Sequence, residues 1–134
     1  MTHRCAIVAA LFFIVSSLAG VAAAAELIMV EQANCHWCHK WDAEIGGRYD
    51  QTPVGRIAPL RRVDLADPKP ADLAHINLGR ASPVFILMED GTEIGRVRGY
   101  PGRAMFWTLL REQLAKLPSL QRQAPTGPEK TVLD

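Results

Sequence analysis

Cysteine is scarce in this chain: three in 134 residues, at positions 5, 35 and 38. That is too few for a small fold stapled by several disulfides. A surplus of one charge is lacking as well. Fifteen Lys and Arg stand against fourteen Asp and Glu, a formal net charge of +1. Such a balance gives no electrostatic reason to expect a nucleic acid or a membrane surface as partner. There is no phosphate-binding glycine loop and no internal repeat. The length suits one domain with a real core and is too short for two.

The N-terminus is present for another purpose. Met1-Thr2-His3-Arg4 is a short positive segment, followed by an almost wholly apolar run from Cys5 to Leu18 and by Ala22-Ala23-Ala24-Ala25. These are the three regions of a secretory signal peptide, residues 1–25, with cleavage before Glu26. The alternative is an uncleaved anchor, since the 21 residues from Cys5 to Ala25 are just long enough to span a bilayer. Without residues 1–25 the chain holds 14 basic and 14 acidic residues, and Cys35 and Cys38 are its only cysteines. A structural bridge across so short a loop adds little stability, so the pair points to chemistry.

That pair is the most informative stretch. The apolar run Leu27-Ile28-Met29-Val30 leads through Glu31-Gln32-Ala33-Asn34 to Cys35-His36-Trp37-Cys38, and a helical pattern follows. Strand, short loop and two thiols on a first helical turn are predicted, with Asn34 as N-cap. Unpaired N–H groups and the helix dipole there favour an anion, which depresses the pKa of Cys35. Cys38, one turn further in, can attack a mixed disulfide formed at Cys35. The arrangement is that of a dithiol/disulfide exchange site.

The remaining elements follow in order. Trp37, Trp41, Ile45 and Tyr49 recur every four residues and give the helix an apolar stripe, with Trp37 partly exposed between the thiols. Gly46-Gly47 loosens its last turns and Thr52-Pro53 ends it. Residues 59–65 alternate as a half-buried strand. Residues 71–78 suit one or two helical turns closed by Gly79, with His75 a surface or packing residue. Ser82-Pro83 precedes the apolar strand 84–88, Asp90-Gly91 signals a hairpin, and residues 93–98 return as its partner. A final helix carries Phe106, Leu110, Leu114 and Leu117 on one face, and Pro118 stops it. Residues 119–134 lack periodicity and read as a flexible tail. The order is β–α–β–(α)–β–β–α: an α/β domain over residues 26–118, with a parallel half, an antiparallel hairpin and a closing helix.

With C-x-x-C opening the first helix and a proline before the third strand, residues 26–117 resemble the thioredoxin superfamily. The segments Glu31-Gln32…Cys35-x-x-Cys38-x-x-Trp41-Asp42-Ala43-Glu44-Ile45 and Phe85-Ile86-Leu87-Met88…Gly99-Tyr100-Pro101-Gly102…Phe106-Trp107 look like the SoxS-type periplasmic thioredoxins of bacterial thiosulfate-oxidation systems. The resemblance implies a thioredoxin-like mixed sheet flanked by helices. It implies Cys35 as attacking and Cys38 as resolving thiol, and a cis Pro83 that presents the Ser82 backbone to an extended substrate segment. It further implies a periplasmic thiol-disulfide oxidoreductase that needs no cofactor. Its partner would be a sulfur-carrying protein whose disulfide it reduces, and a membrane thiol transporter would supply the electrons. A monomer is expected.

Two features depart from the pattern. Thioredoxins often bury an acid in the strand before C-x-x-C, and here Met29 stands at that place. Glu31 is the nearest substitute as a proton acceptor, or else a solvated loop carboxylate. His36, beside Cys35, stabilises a thiolate and makes the disulfide more oxidising, and with Trp37 it shapes the entrance. A DsbA-like oxidant or isomerase using the same residues is therefore the runner-up function. Cys35, Cys38 and His39 also spell the C-x-x-C-H of haem attachment. Against haem, the chain has three good strand signals, and neither Met88 nor Met105 is presented as a second axial ligand. Zinc is weaker still, because Cys35, His36, Cys38 and His39 cannot surround a tetrahedral ion without unwinding the helix. A non-catalytic structural module would tolerate loss of both cysteines.

Overall fold

The computed structural model describes residues 25–124. Its centre is a four-stranded sheet in the order β2-β1-β3-β4, formed by β1 (Ala25–Glu31), β2 (Leu60–Asp64), β3 (Val84–Glu89) and β4 (Thr92–Arg98). β1 and β2 run parallel, and β3 is antiparallel to both β1 and β4. This is the parallel half joined to a hairpin that the element order predicts.

The two central strands are apolar from Leu27 to Val30 and from Val84 to Met88 because both sheet faces are covered there. Leu27 and Met29 of β1 and Phe85 and Leu87 of β3 turn to one side, into a core shared with Trp41, Tyr49, Phe106 and Leu110. Ile28, Val30, Val84, Ile86 and Met88 turn to the other, against Leu73, Ile76 and Leu78 of the long β2–β3 connection. The hairpin turn is left-handed at both central residues, Asp90 (φ 50°) and Gly91 (φ 74°), the conformation for which Asp-Gly is favoured.

Helices α1 (His36–Glu44), α2 (Pro53–Ile57), α3 (Arg103–Leu114) and α4 (Pro118–Gln123) complete the chain. The stripe on α1 runs on into a 3₁₀ segment, Gly46–Gln51, so Tyr49 reaches the core from a tighter turn than an α-helix supplies. The predicted α3 face is buried as Phe106, Leu110 and Leu114, with Leu117 following.

Four local readings change. Cys35, not Asn34, is the N-cap of α1. Thr52-Pro53 ends one element but also begins another: the Thr52 hydroxyl accepts from the Gly55 N–H at 2.9 Å, and Pro53 takes the first turn of α2, where its missing N–H costs nothing. Residues 71–78 form only a 3₁₀ turn, Ala71–Leu73. Beyond it Ile76 and Leu78 are held by burial, and Lys69 Nζ donates to the Ala74 and Ile76 carbonyls. Pro118 does stop α3, yet it opens α4, and the buried Glu89 carboxylate accepts from the Ser119 N–H at 3.2 and 3.3 Å. A tail beginning at residue 119 omits this anchored helix. Residues 1–24 and 125–134, which hold the signal segment up to Ala24 and the rest of the tail, lie outside the described residues.

Gly55 illustrates how tightly α2 is seated. A Cβ there would lie 2.1 Å from the Tyr49 carbonyl oxygen and 2.9 Å from Asp50 Cα. A helical Gly→Ala change ordinarily gains up to about 1 kcal/mol. Here backbone must move, and Gly55→Ala is expected to lose about 1–3 kcal/mol, read from the urea midpoint.

Candidate active site

The C-terminal ends of β1 and β2, the N-terminus of α1 and the turn entering β3 meet at one end of the sheet. Cys35 and Cys38 are joined there as a disulfide, with an S–S distance of 2.02 Å and Cα atoms 5.1 Å apart. Cys35 Sγ accepts from the Cys38 N–H at 3.1 Å. That N–H is one of the first-turn donors a helix leaves unpaired, and here it points at the outer sulfur.

The two sulfurs are not equivalent. Cys35 lines a surface cleft of about 640 Å³ together with Gln32, His36, Trp37, Asp64 and Ser82; Cys38 does not line it. The two residues are 7% and 3% exposed. Trp37 is 49% exposed, with the His36 ring edge-on at 5.2 Å and Lys40 Nζ 5.2 Å above its face. Two basic side chains thus crowd the exposed indole beside the outer sulfur.

Across the cleft the Ser82–Pro83 peptide is cis. The Ser82 hydroxyl donates to Gln32 Oε1 at 3.0 Å, bracing the β1–α1 loop against the turn that enters β3. No sequence signal marks Gln32 for that task, because its partner lies 50 positions away.

Glu31 does not line the cleft. Its carboxylate accepts from Arg62 Nη1 at 2.6 Å, and Arg62 Nη2 donates to Asp42. The guanidinium also lies 5.8 Å above the Trp41 ring. Glu31 is therefore bound in an ion pair linking β1, β2 and α1, rather than standing as a solvated loop carboxylate. Met29, at the place of the missing acid, is fully buried. Arg62 and Asp42 are two members of this cluster that pattern reading passes over, since each reads alone as a surface charge.

Tyr100 secures the far side. Its hydroxyl donates to Glu44 at the end of α1, tying the β4–α3 loop to the helix that carries the thiols. Burial, and then the neighbouring carboxylate, push it up to about 12, and burial raises Tyr49 further. A raised folded-state value means that folding favours the protonated form. The contribution from Tyr100 is complete below its ordinary pH 10 and is lost as pH climbs towards 12. An ultraviolet titration should find neither tyrosine ionised at pH 10.

Among the described residues no group of three or more His, Cys, Asp or Glu side chains could hold a metal ion. His39, the haem-type histidine, and His75 are both exposed; His75 Nε2 lies 2.7 Å from the Gly91 carbonyl oxygen.

No family model and no curated protein sequence matches the chain. Solved structures do. The reduced periplasmic thioredoxin SoxS from Paracoccus pantotrophus is 39% identical, covering 69% of this chain and 97% of that one, with a TM-score of 0.64. A thioredoxin from Thermus thermophilus is 18% identical over 79% of this chain and 85% of that one, with a TM-score of 0.53. Malassezia sympodialis thioredoxin is 20% identical over 66% and 76%, with a TM-score of 0.52; these two share the fold. With a C-x-x-C pair at the head of its first helix, the chain belongs to the thioredoxin superfamily as a thiol-disulfide oxidoreductase, and within it is similar to the periplasmic thioredoxin SoxS.

Proposed function

We propose that the chain acts in the periplasm as a disulfide reductant, cleaving a disulfide on a sulfur-carrying partner protein and recovering its electrons from a membrane thiol donor. The observation that carries the chemical part is the asymmetry of the pair: Cys35 lines the cleft beside Ser82, and Cys38 is tucked behind it. In the dithiol state Cys35 thiolate attacks one sulfur of the substrate disulfide. That S–S bond breaks, and the departing thiolate takes a proton from solvent. Cys38 thiolate then attacks Cys35, releasing the second substrate thiol. Two electrons pass to the substrate, and Cys35–Cys38 becomes the disulfide.

Ser82 supplies backbone groups for an extended segment to pair with, and Trp37 and His36 wall the entrance. The periplasmic location is supported by the leader pattern of residues 1–25 and by the similarity to a periplasmic thioredoxin. Among the described residues no helix is long and apolar enough to cross a membrane. A monomer is part of the same reading.

One observation favours a second reading. His36 lies in the cleft next to Cys35, where an imidazolium stabilises thiolate and raises the potential. Equilibrating the mature protein in glutathione and dithiothreitol buffers separates the two. A potential near the about −270 mV of thioredoxin fits a reductant; one near the about −120 mV of DsbA makes the protein a disulfide donor.

A further inference from the structure

The cleft holding Cys35 does not end at Ser82. A second depression of about 310 Å³ shares Ser82 with it and continues past Pro83 to the end of β4, the sheet's edge strand. Its wall includes Arg80, Arg96 and Arg98, and no acidic residue lines it. Arg96 is already engaged. Its Nε and Nη2 each donate to Glu93 at 2.5 Å and its Nη1 to the Asn77 carbonyl at 3.1 Å, fastening the 77–82 loop to β4.

Arg80 and Arg98 are different. Both are exposed, and neither side chain makes a hydrogen bond or salt bridge among the described residues, although Arg98, after Arg96, also acts electrostatically on the Glu93 carboxylate. Both are nevertheless anchored at the base. Arg98 stands opposite Val84 in the ladder, and the next residue, Gly99, donates its N–H to the Pro83 carbonyl at 2.8 Å. Arg80 lies two residues before Ser82. An extended chain advances about 3.3–3.6 Å per residue, so a segment paired with Ser82 brings the side chains next to its cysteine alongside these guanidinium groups. On the other side of Ser82 the thiol cleft carries Asp64. That cleft also holds His36, so the arginines concentrate positive charge on the Pro83 side of the path a substrate segment would follow.

We propose that Arg80 and Arg98 form a specificity site for substrate proteins that carry Asp or Glu close to the disulfide cysteine. This rests on the exchange reading above and names the substrate class of the same cleft. Guanidinium groups match carboxylates in a two-pronged geometry. Exposed charges of this kind act mainly on the association rate and are screened by salt beyond roughly 8–10 Å.

The test uses the reduced mature protein and two synthetic disulfide-linked peptides of one sequence, with either glutamates or lysines flanking the cysteine. At low salt the glutamate peptide should be reduced on the order of tenfold faster than the lysine peptide. The ratio should shrink towards one as salt is raised. In Arg80→Gln/Arg98→Gln it should collapse at low salt too, and in Arg80→Glu/Arg98→Glu it should invert. Because each ratio is taken within one variant, a loss of folded protein does not imitate the effect. A ratio near one in the natural protein, or one that survives the double substitution, overturns the proposal. So does an equal arginine-dependent advantage for glutathione disulfide over uncharged hydroxyethyl disulfide, which would assign the site to small anions. If hydroxyethyl disulfide is not reduced at all, the exchange reading itself falls and this proposal falls with it.

Discussion

Changing Cys38 to serine is expected to stop turnover with the protein joined to its substrate through Cys35. Changing Cys35 to serine is expected to remove exchange, by on the order of 10³-fold or more. The difference follows from position. Cys35 is the N-cap residue, lines the cleft and has the Cys38 N–H directed at its sulfur. Once the pair is reduced, that donor and the helix dipole favour negative charge on Cys35. Cys38 is closed off from the cleft but has its sulfur within bonding reach of Cys35, so its natural target is a sulfur already attached there. Incubating each reduced variant with disulfide-bearing proteins, followed by intact-mass measurement, gives the answer. A covalent adduct on Cys38→Ser and none on Cys35→Ser is the expected pair of results. Equal adducts on both variants would mean that the buried thiol reaches substrate directly, and the assigned order would be wrong.

The largest effect on stability is expected at Trp41→Ala. Trp41 is fully buried and sits among Tyr49, Phe85 and Phe106, with ring centroids 6.0, 5.2 and 5.9 Å away. Emptying such a site costs about 3–5 kcal/mol, a large share of the roughly 5–15 kcal/mol that holds a domain together. Trp41 also lies one helical turn after Cys38, so a cavity there loosens the helix that presents the thiols. Trp41→Phe is a sharper control. The indole Nε1 is buried and makes no hydrogen bond among the described residues, so exchanging one aromatic for another leaves no partner stranded and should cost under about 1.5 kcal/mol. Chemical denaturation followed by circular dichroism measures both variants. A loss below about 1 kcal/mol for Trp41→Ala would show that the cluster repacks and that Trp41 does not hold the sheet to α1.

Much of the fold could be read along the chain because local chemistry and tertiary need coincide there. The run Val84 to Met88 is apolar at every position, as a strand covered on both faces must be, and Asp90-Gly91 adopts the left-handed backbone that such a pair favours. The α3 face repeats at helical spacing and is buried as that spacing requires. Reading failed where one residue serves two elements. Thr52-Pro53 carries the signal of an ending, and the same residues cap and open α2. Residues 71–78 have helical composition, but Ile76 and Leu78 are drawn under the sheet, and burying them there replaces helical pairing. Residues 118–123 make too short a helix for periodicity to register, and the Glu89 carboxylate that anchors it comes from the end of a strand 30 positions away.

The site divides in the same way. By itself the sequence determined which atoms could exchange disulfides, because two cysteines three apart at the head of a helix are placed by helix geometry alone. It also determined that an exposed tryptophan would stand between them and that no acid would occupy position 29. It pointed as well to Cys35 as the attacking sulfur, whereas only the tertiary structure decided what faces that sulfur, since Ser82 is carried to the cleft by the turn entering β3 and its hydroxyl is held by Gln32. The tertiary structure also decided the place of Glu31, whose carboxylate is held by Arg62 from the neighbouring parallel strand. The physical reason is range. Helix propensity, turn conformation and thiol spacing act over a few residues, whereas the charge and shape around the outer sulfur are assembled from segments up to 50 residues apart.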